Sequence, residues 1–248
     1  MDRLGDLESI AVTAEQPAPP ADPGGDPKDV AEVLRSEYGV LMSALTASWS
    51  VSMSRTSLFL GVLSAAGVGL GFAAQAGEGF GPEFSLFALV VLPITLFLGL
   101  ATFVRQVQVQ REVIVYIIGM NRIRRWFRDT VPGVAPYLVL STSDDELSIY
   151  RNMGAGMSRR PPRFRFGYAL VQTQGIVAVV CGVVAGAIGG IGANWAGWSP
   201  LATWLAAGGA FIILAALLFA YWNRSVAQLQ ASIEPRFPTM PEEIEAPF

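Results

Sequence analysis

The chain has 248 residues, 52% of them hydrophobic and 15% charged, with a mean hydropathy of +0.44. Soluble domains carry about 25% charged residues; here the charges are missing from four long stretches, which excludes an ordinary soluble domain. The net charge is −3, there is no histidine and Cys181 is the single cysteine. That inventory excludes Ser-His-Asp and Cys-His catalysis, an internal disulfide and a cysteine-based metal cluster.

Residues 1–28 hold acids, small residues and Pro17, Pro19, Pro20 and Pro23, which predicts a disordered acidic N-terminal tail without a secretory leader. From 29 to 56 the pattern turns helical. Val30, Leu34, Tyr38, Leu41, Leu45, Trp49 and Met53 recur every three or four residues and predict one apolar stripe, with Asp29 as N-cap and Glu32 completing the box. Ser57 to Ala76 is charge-free and, at 1.5 Å per residue, covers roughly the 30 Å of a hydrocarbon core. A short connector leads to a second apolar span, Phe84 to Val104. Pro93 is tolerated there, because neighbouring helices can satisfy the carbonyl it frees. Residues 57–104 thus read as a transmembrane hairpin.

Residues 105–131 predict a further cytoplasmic helix, with Val109, Val113, Tyr116, Met120, Ile123 and Phe127 in heptad spacing. Residues 132–167 read as an irregular basic loop in which Asp144, Asp145 and Glu146 serve as solubilising charge. A second transmembrane hairpin follows over 168–222, with spans Tyr168 to Ala193 and Pro200 to Trp222. Residues 223–248 form a cytoplasmic tail broken by Pro235, Pro238 and Pro241.

Charge bias orients the four spans. The segment between spans two and three, residues 105–167, carries eleven arginines against five acids, while the two short connectors carry no lysine or arginine. Basic residues stay on the cytoplasmic side during insertion, so both termini are expected inside a plasma (inner) membrane.

Two residue sets are candidates for contact. Ala178, Gly182, Gly186 and Gly190 recur every four residues, with a weaker series at Gly61, Ala65 and Gly69; such faces let helix backbones approach closely. Arg159, Arg160, Arg163 and Arg165 adjoin the third span and suit an anionic leaflet, each contributing about 1 kcal/mol there. Arg122, Arg124, Arg125 and Arg128 begin about 25 Å beyond Arg105 along a straight helix. At that distance the leaflet's field is screened, so they suit an anionic partner or the protein's own acids.

Neither Gly67-Val-Gly69-Leu-Gly71 nor Gly154-Ala-Gly156 has the context of a nucleotide loop. No aspartate, glutamate, lysine or arginine falls inside a predicted span, which argues against a coupled transporter but not against a passive channel. Over residues 29–129, the order long helix, span, tight turn, span, long helix resembles the two-helix membrane modules of bacterial SLATT-type effectors, in architecture and without a shared motif.

The sequence therefore predicts an all-α integral membrane protein with four transmembrane helices in two hairpins, the first extended by long amphipathic cytoplasmic helices. The expected function is non-enzymatic: an oligomeric scaffold or accessory subunit of a membrane complex, or, alternatively, an oligomeric passive channel or pore. No cofactor, metal or nucleic acid is expected. The expected partners are anionic headgroups, further copies of the chain or another membrane-complex protein.

Overall fold

The computed structural model describes residues 25–76, 79, 81–155 and 172–239, and these are all-helical or irregular, without a strand. Four helices are long and apolar enough to cross a membrane, the signature of a membrane protein. They are α1 (Pro27–Ala76), α2 (Pro82–Thr130), α4 (Thr173–Trp195) and α5 (Pro200–Ser232); a short α3 (Glu146–Tyr150) lies between α2 and α4. The tail up to residue 24, the start of the predicted third span and the arginines at 159, 160, 163 and 165 fall outside the described residues.

The helix ends follow from local chemistry. α1 starts two residues before the expected Asp29, because Pro27 fits the first helical position and Asp26 Oδ1 accepts from Lys28 N–H at 2.9 Å. α4 ends at Trp195, and just beyond it Gly197, with a φ of +75°, lets the chain reverse while Trp198 N–H bonds Ala193 O and Gly197 N–H bonds Asn194 O. That pair of bonds satisfies carbonyls the helix end would otherwise leave open. Ser199 caps the next helix through Ala202 N–H, and Pro200 is its first residue. α5 continues past Trp222 to Ser232, where a free tail is expected from sequence, because Val226, Leu229 and Ile233 still have the core to pack on.

α1 and α2 run antiparallel, in a register that contacts define from end to end. Tyr38 meets Arg124, Leu41 lies over Gly119, Ser52 meets Gln106, Phe59 lies over Gly99, and Phe87 lies beside Gly69. At 49 residues α2 is about 74 Å long, more than twice the thickness of a hydrocarbon core. α2 is the central helix. α1 covers one side; α4, α5 and α3 cover the other. Its expected seam is buried at Val109, Val113, Met120 and Ile123 and half-buried at Tyr116 and Phe127. A second buried face, Val107, Ile114, Ile117 and Ile118, receives the remaining helices.

The apolar stripe expected on α1 holds only as far as Leu45. Trp49 and Met53 are exposed, and the packed face runs on through Ser48, Ser52, Thr56 and Phe59. Spacings of three and four keep that face in register with α2, even though three of its four members are hydroxyl residues.

Close packing converges on Gly99. A Cβ built there would lie 2.6 Å from Cys181 Sγ and 2.8 Å from Phe59 Cε2, so only glycine lets α1 and α4 both reach α2 at this level. Between α4 and α5, a Cβ at Gly186 would lie 2.9 Å from Ala207 O, and one at Gly182 2.9 Å from Phe211 Cδ2. The obstacle at Gly186 is backbone, which cannot swing aside. Replacing Gly186 with leucine should lower the thermal midpoint by several degrees, consistent with the roughly 1–3 kcal/mol typical of overpacking. An unchanged midpoint in detergent would show that α4 and α5 can separate freely.

Candidate functional site

The structure concentrates its buried polar chemistry along α2 and at the far end of the bundle. Going down α2 from the apolar spans, Gln106, Gln110 and Asn121 are all buried. Each bonds a different element. Gln106 accepts from Ser52 Oγ and donates through Nε2 to Ser52 O and Thr56 Oγ1 on α1. Gln110 Oε1 accepts from Trp222 Nε1 of α5 at 2.6 Å and from Gln174 Nε2 of α4 at 3.3 Å. Asn121 Nδ2 donates to Ser143 O at 2.7 Å, and its Oδ1 accepts from Arg124 and Asn152. A buried amide left unpaired costs roughly 1–3 kcal/mol, so this column sets the register of everything packed on α2.

Below Asn121 the chain forms a clasp. Asp144, expected to be surface charge, is instead fully buried, its side chain 0% exposed. Its carboxylate accepts from Arg122 Nε at 2.8 Å, from Phe237 N–H at 2.8 Å and from Arg236 N–H at 3.0 Å. Asp144 N–H in turn donates to Phe237 O. Asp145 caps α3 through Ser148 N–H and accepts from both the N–H and the hydroxyl of Thr239. Ser148 Oγ joins at 2.9 Å from Thr239 Oγ1. The segment after α5 is thereby strapped to the loop after α2. The acids suit this place because the N–H groups of an irregular segment lack helix partners, and a carboxylate is a stronger acceptor for them than a neutral oxygen. Ser-Thr-Ser-Asp-Asp with Ser148 three residues beyond Asp145 is a helix-start signature that the expectation of an irregular loop passed over.

Burial pushes the Asp145 carboxyl up, but side-chain and backbone hydrogen bonds from Ser148 and Thr239 outweigh it and hold the group below the usual carboxylate range. Cys181 is buried among the helices against Gly99.

The candidate arginines of α2 have partners inside the chain. Arg122 holds Asp144; Arg124 donates to Tyr38 Oη at 2.6 Å and lies over its ring; Arg125 pairs with Asp129 and lies over Phe237; Arg128 donates to Thr142 Oγ1 and contacts Asp129. The small-residue series divides. Ala178, Gly182, Gly186 and Gly190 lie in contact with neighbouring helices, joined by Gly189 against Ala206. Gly61 and Ala65 are exposed, with nothing within 4 Å of a Cβ at Gly61, and Gly69 has only the edge of Phe87 at 3.7 Å.

No protein-family model, curated protein or solved structure matches this chain. Chemically, the clasp and the column do one thing: they hold chain segments together. Among the described residues no cluster of three histidine, cysteine or acidic side chains is arranged to hold a metal ion, and both clasp carboxylates are engaged by donors.

Replacing Asp144 with alanine leaves Arg122 and the part-buried N–H groups of Arg236 and Phe237 without this acceptor. Losing one partner of a buried pair costs roughly 3–5 kcal/mol, enough to free the strap. Tryptic cleavage after Arg236 should then speed up at least tenfold, while the core stays protected; an unchanged rate would mean that the strap is held elsewhere. Because the Asp145 pKa is depressed, its contribution is present above the ordinary aspartate range and is lost as pH falls through the lowered value. A spin label at Pro238 should stay immobile near neutral pH and loosen only in that acidic window.

Proposed function

We propose that the chain is a non-enzymatic multipass protein of the plasma (inner) membrane that assembles into an oligomeric scaffold or accessory subunit. In this reading, residues 57–104 and 168–222 form two membrane hairpins, with both termini in the cytoplasm. The outer halves of α1 and α2 rise from the inner face as a stalk. The observation that carries the reading is the polar column and clasp. Their hydrogen bonds run between elements beyond Arg105, which supports a rigid stalk suited to presenting a surface. The arginine bias of residues 105–167 supports the orientation.

Oligomerisation is supported by the back of α1. Gly39, Ser43, Ala47, Ser50, Ser54, Ser57, Gly61 and Ala65 follow one another at spacings of three and four, and all are exposed. They share the face turned away from α2. Small residues in a continuous seam suit close approach of an identical helix. The hydroxyls of Ser50, Ser54 and Ser57 also favour a second reading, in which several α1 helices line a narrow passive pore.

Gly61→Leu separates these ideas from ordinary folding, because nothing among the described residues packs on Gly61. The variant should keep the monomer's thermal midpoint while the mass of the detergent-solubilised particle falls to that of a smaller assembly. Retention of the wild-type mass would remove this face from the interface. Particle imaging then distinguishes a ring, as a pore requires, from a dimer. For the orientation, a cysteine at Ala196 should react with an impermeant thiol reagent in intact cells and one at the exposed Val139 should not. The opposite pattern would invert the topology.

A further inference from the structure

We infer that Arg55, Arg111 and Arg224 form a band that binds the phosphate groups of anionic phospholipids in the leaflet facing the stalk, an inference that rests on the membrane reading above. The three arginines sit on three different helices, α1, α2 and α5, and all are exposed. Among the described residues, none of them has an ion pair, hydrogen bond or ring contact.

The register of the bundle brings them to neighbouring heights. Ser52 bonds Gln106, so Arg55 lies level with Phe103; Trp222 bonds Gln110, so Arg224 lies just beyond Arg111. From Phe103 to Arg111 is about 12 Å along the helix axis. That is comparable with the interfacial layer of one leaflet plus the reach of a flexible guanidinium. Arg55 precedes the charge-free stretch of α1 by two residues, and Arg224 follows Trp222 by two.

The charge in this layer is unbalanced. Arg105 lies there too, but it is engaged by Glu112 at 2.9 Å. Across residues 48–59, 103–114, 172–180 and 218–228, Glu112 is the only acid, against Arg55, Arg105, Arg111 and Arg224. Among the described residues, three positive charges in this layer thus have no ion-pair partner, where a bilayer presents phosphates. The contrast with Arg122, Arg124, Arg125 and Arg128 is direct: beyond the reach of headgroups, the chain supplies its own acceptors. Arg151 and Arg236, also without a side-chain partner among the described residues, lie at the clasp, level with Asn121 and Arg122. They serve as a control at a height lipid does not reach.

The test uses the full chain in nanodiscs of phosphatidylcholine alone or of phosphatidylcholine with phosphatidylglycerol, read by thermal midpoint. The anionic lipid should raise the midpoint of the wild type. The triple variant R55Q/R111Q/R224Q should lose most of that rise while keeping its midpoint in the neutral lipid. R151Q/R236Q should keep the rise in full. A triple variant that keeps the rise, or a wild type that shows none, overturns the inference. Inorganic phosphate added to neutral-lipid nanodiscs should have no effect; an equal rise there would identify a free-anion site and overturn the lipid assignment. Carbonate extraction of cell membranes separates the two levels. A chain that resists extraction but ignores the lipid charge defeats the band alone, whereas a chain released by carbonate defeats the membrane reading and the band together.

Discussion

Everything in this fold leans on one helix that is covered on two sides. Along its covered flanks such a helix loses contact with water, so any polar side chain there must find an acceptor or donor in whatever packs on it. α2 carries such groups at Gln106, Gln110 and Asn121, and each is answered by a different element: α1, then α4 with α5, then the loop after α2. A slip of one turn along α2 would break all three sets of bonds at once. Apolar contacts alone tolerate such slips, because one branched aliphatic side chain replaces another at modest cost.

The helices are held together in two physically different ways. Along the spans, contact is made by removing side chains: Gly99 admits Phe59 and Cys181, and Gly182 and Gly186 admit Phe211 and Ala207. Dispersion at short range does the work where water is absent. The buried hydroxyls there, Ser85, Thr95 and Thr102, donate to carbonyls four residues back on their own helix and tie no helices together. Beyond Arg105 the mode changes to side-chain amides, carboxylates and guanidinium groups bonding across elements. The transition falls at Gln106, one residue after the first basic residue that follows the second apolar span.

That change of mode explains what could be read from the sequence. The four long apolar helices were legible because a charge-free stretch of about 20 residues has few other solutions. The seam at Val109, Val113, Met120 and Ile123 was legible for the same reason: apolar residues at helical spacing need cover. Trp49 and Met53 misled because only apolar residues were counted; the true line continues through Ser48, Ser52 and Thr56, whose hydroxyls look like surface. Asp144 misled in the opposite sense. Three consecutive acids in a loop read as solubility, and nothing local reveals that Phe237, more than ninety residues later, will donate to one of them. Gly99 gave no pattern at all, since a lone glycine in an apolar span becomes meaningful only when two other helices meet over it.

The clasp also has a meaning in time. Asp144 lies between α2 and α4, whereas its backbone donors, Arg236 and Phe237, follow α5. On a ribosome, the loop is made, and two further apolar helices must be synthesised and inserted, before those donors exist. Until then Asp144 has Arg122 but not the strap, and the clasp is incomplete. Closure therefore cannot precede the synthesis of α5. A nascent chain stopped before Arg236 would carry the four long apolar helices described and yet leave this buried carboxylate open, a molecular record that synthesis fell short.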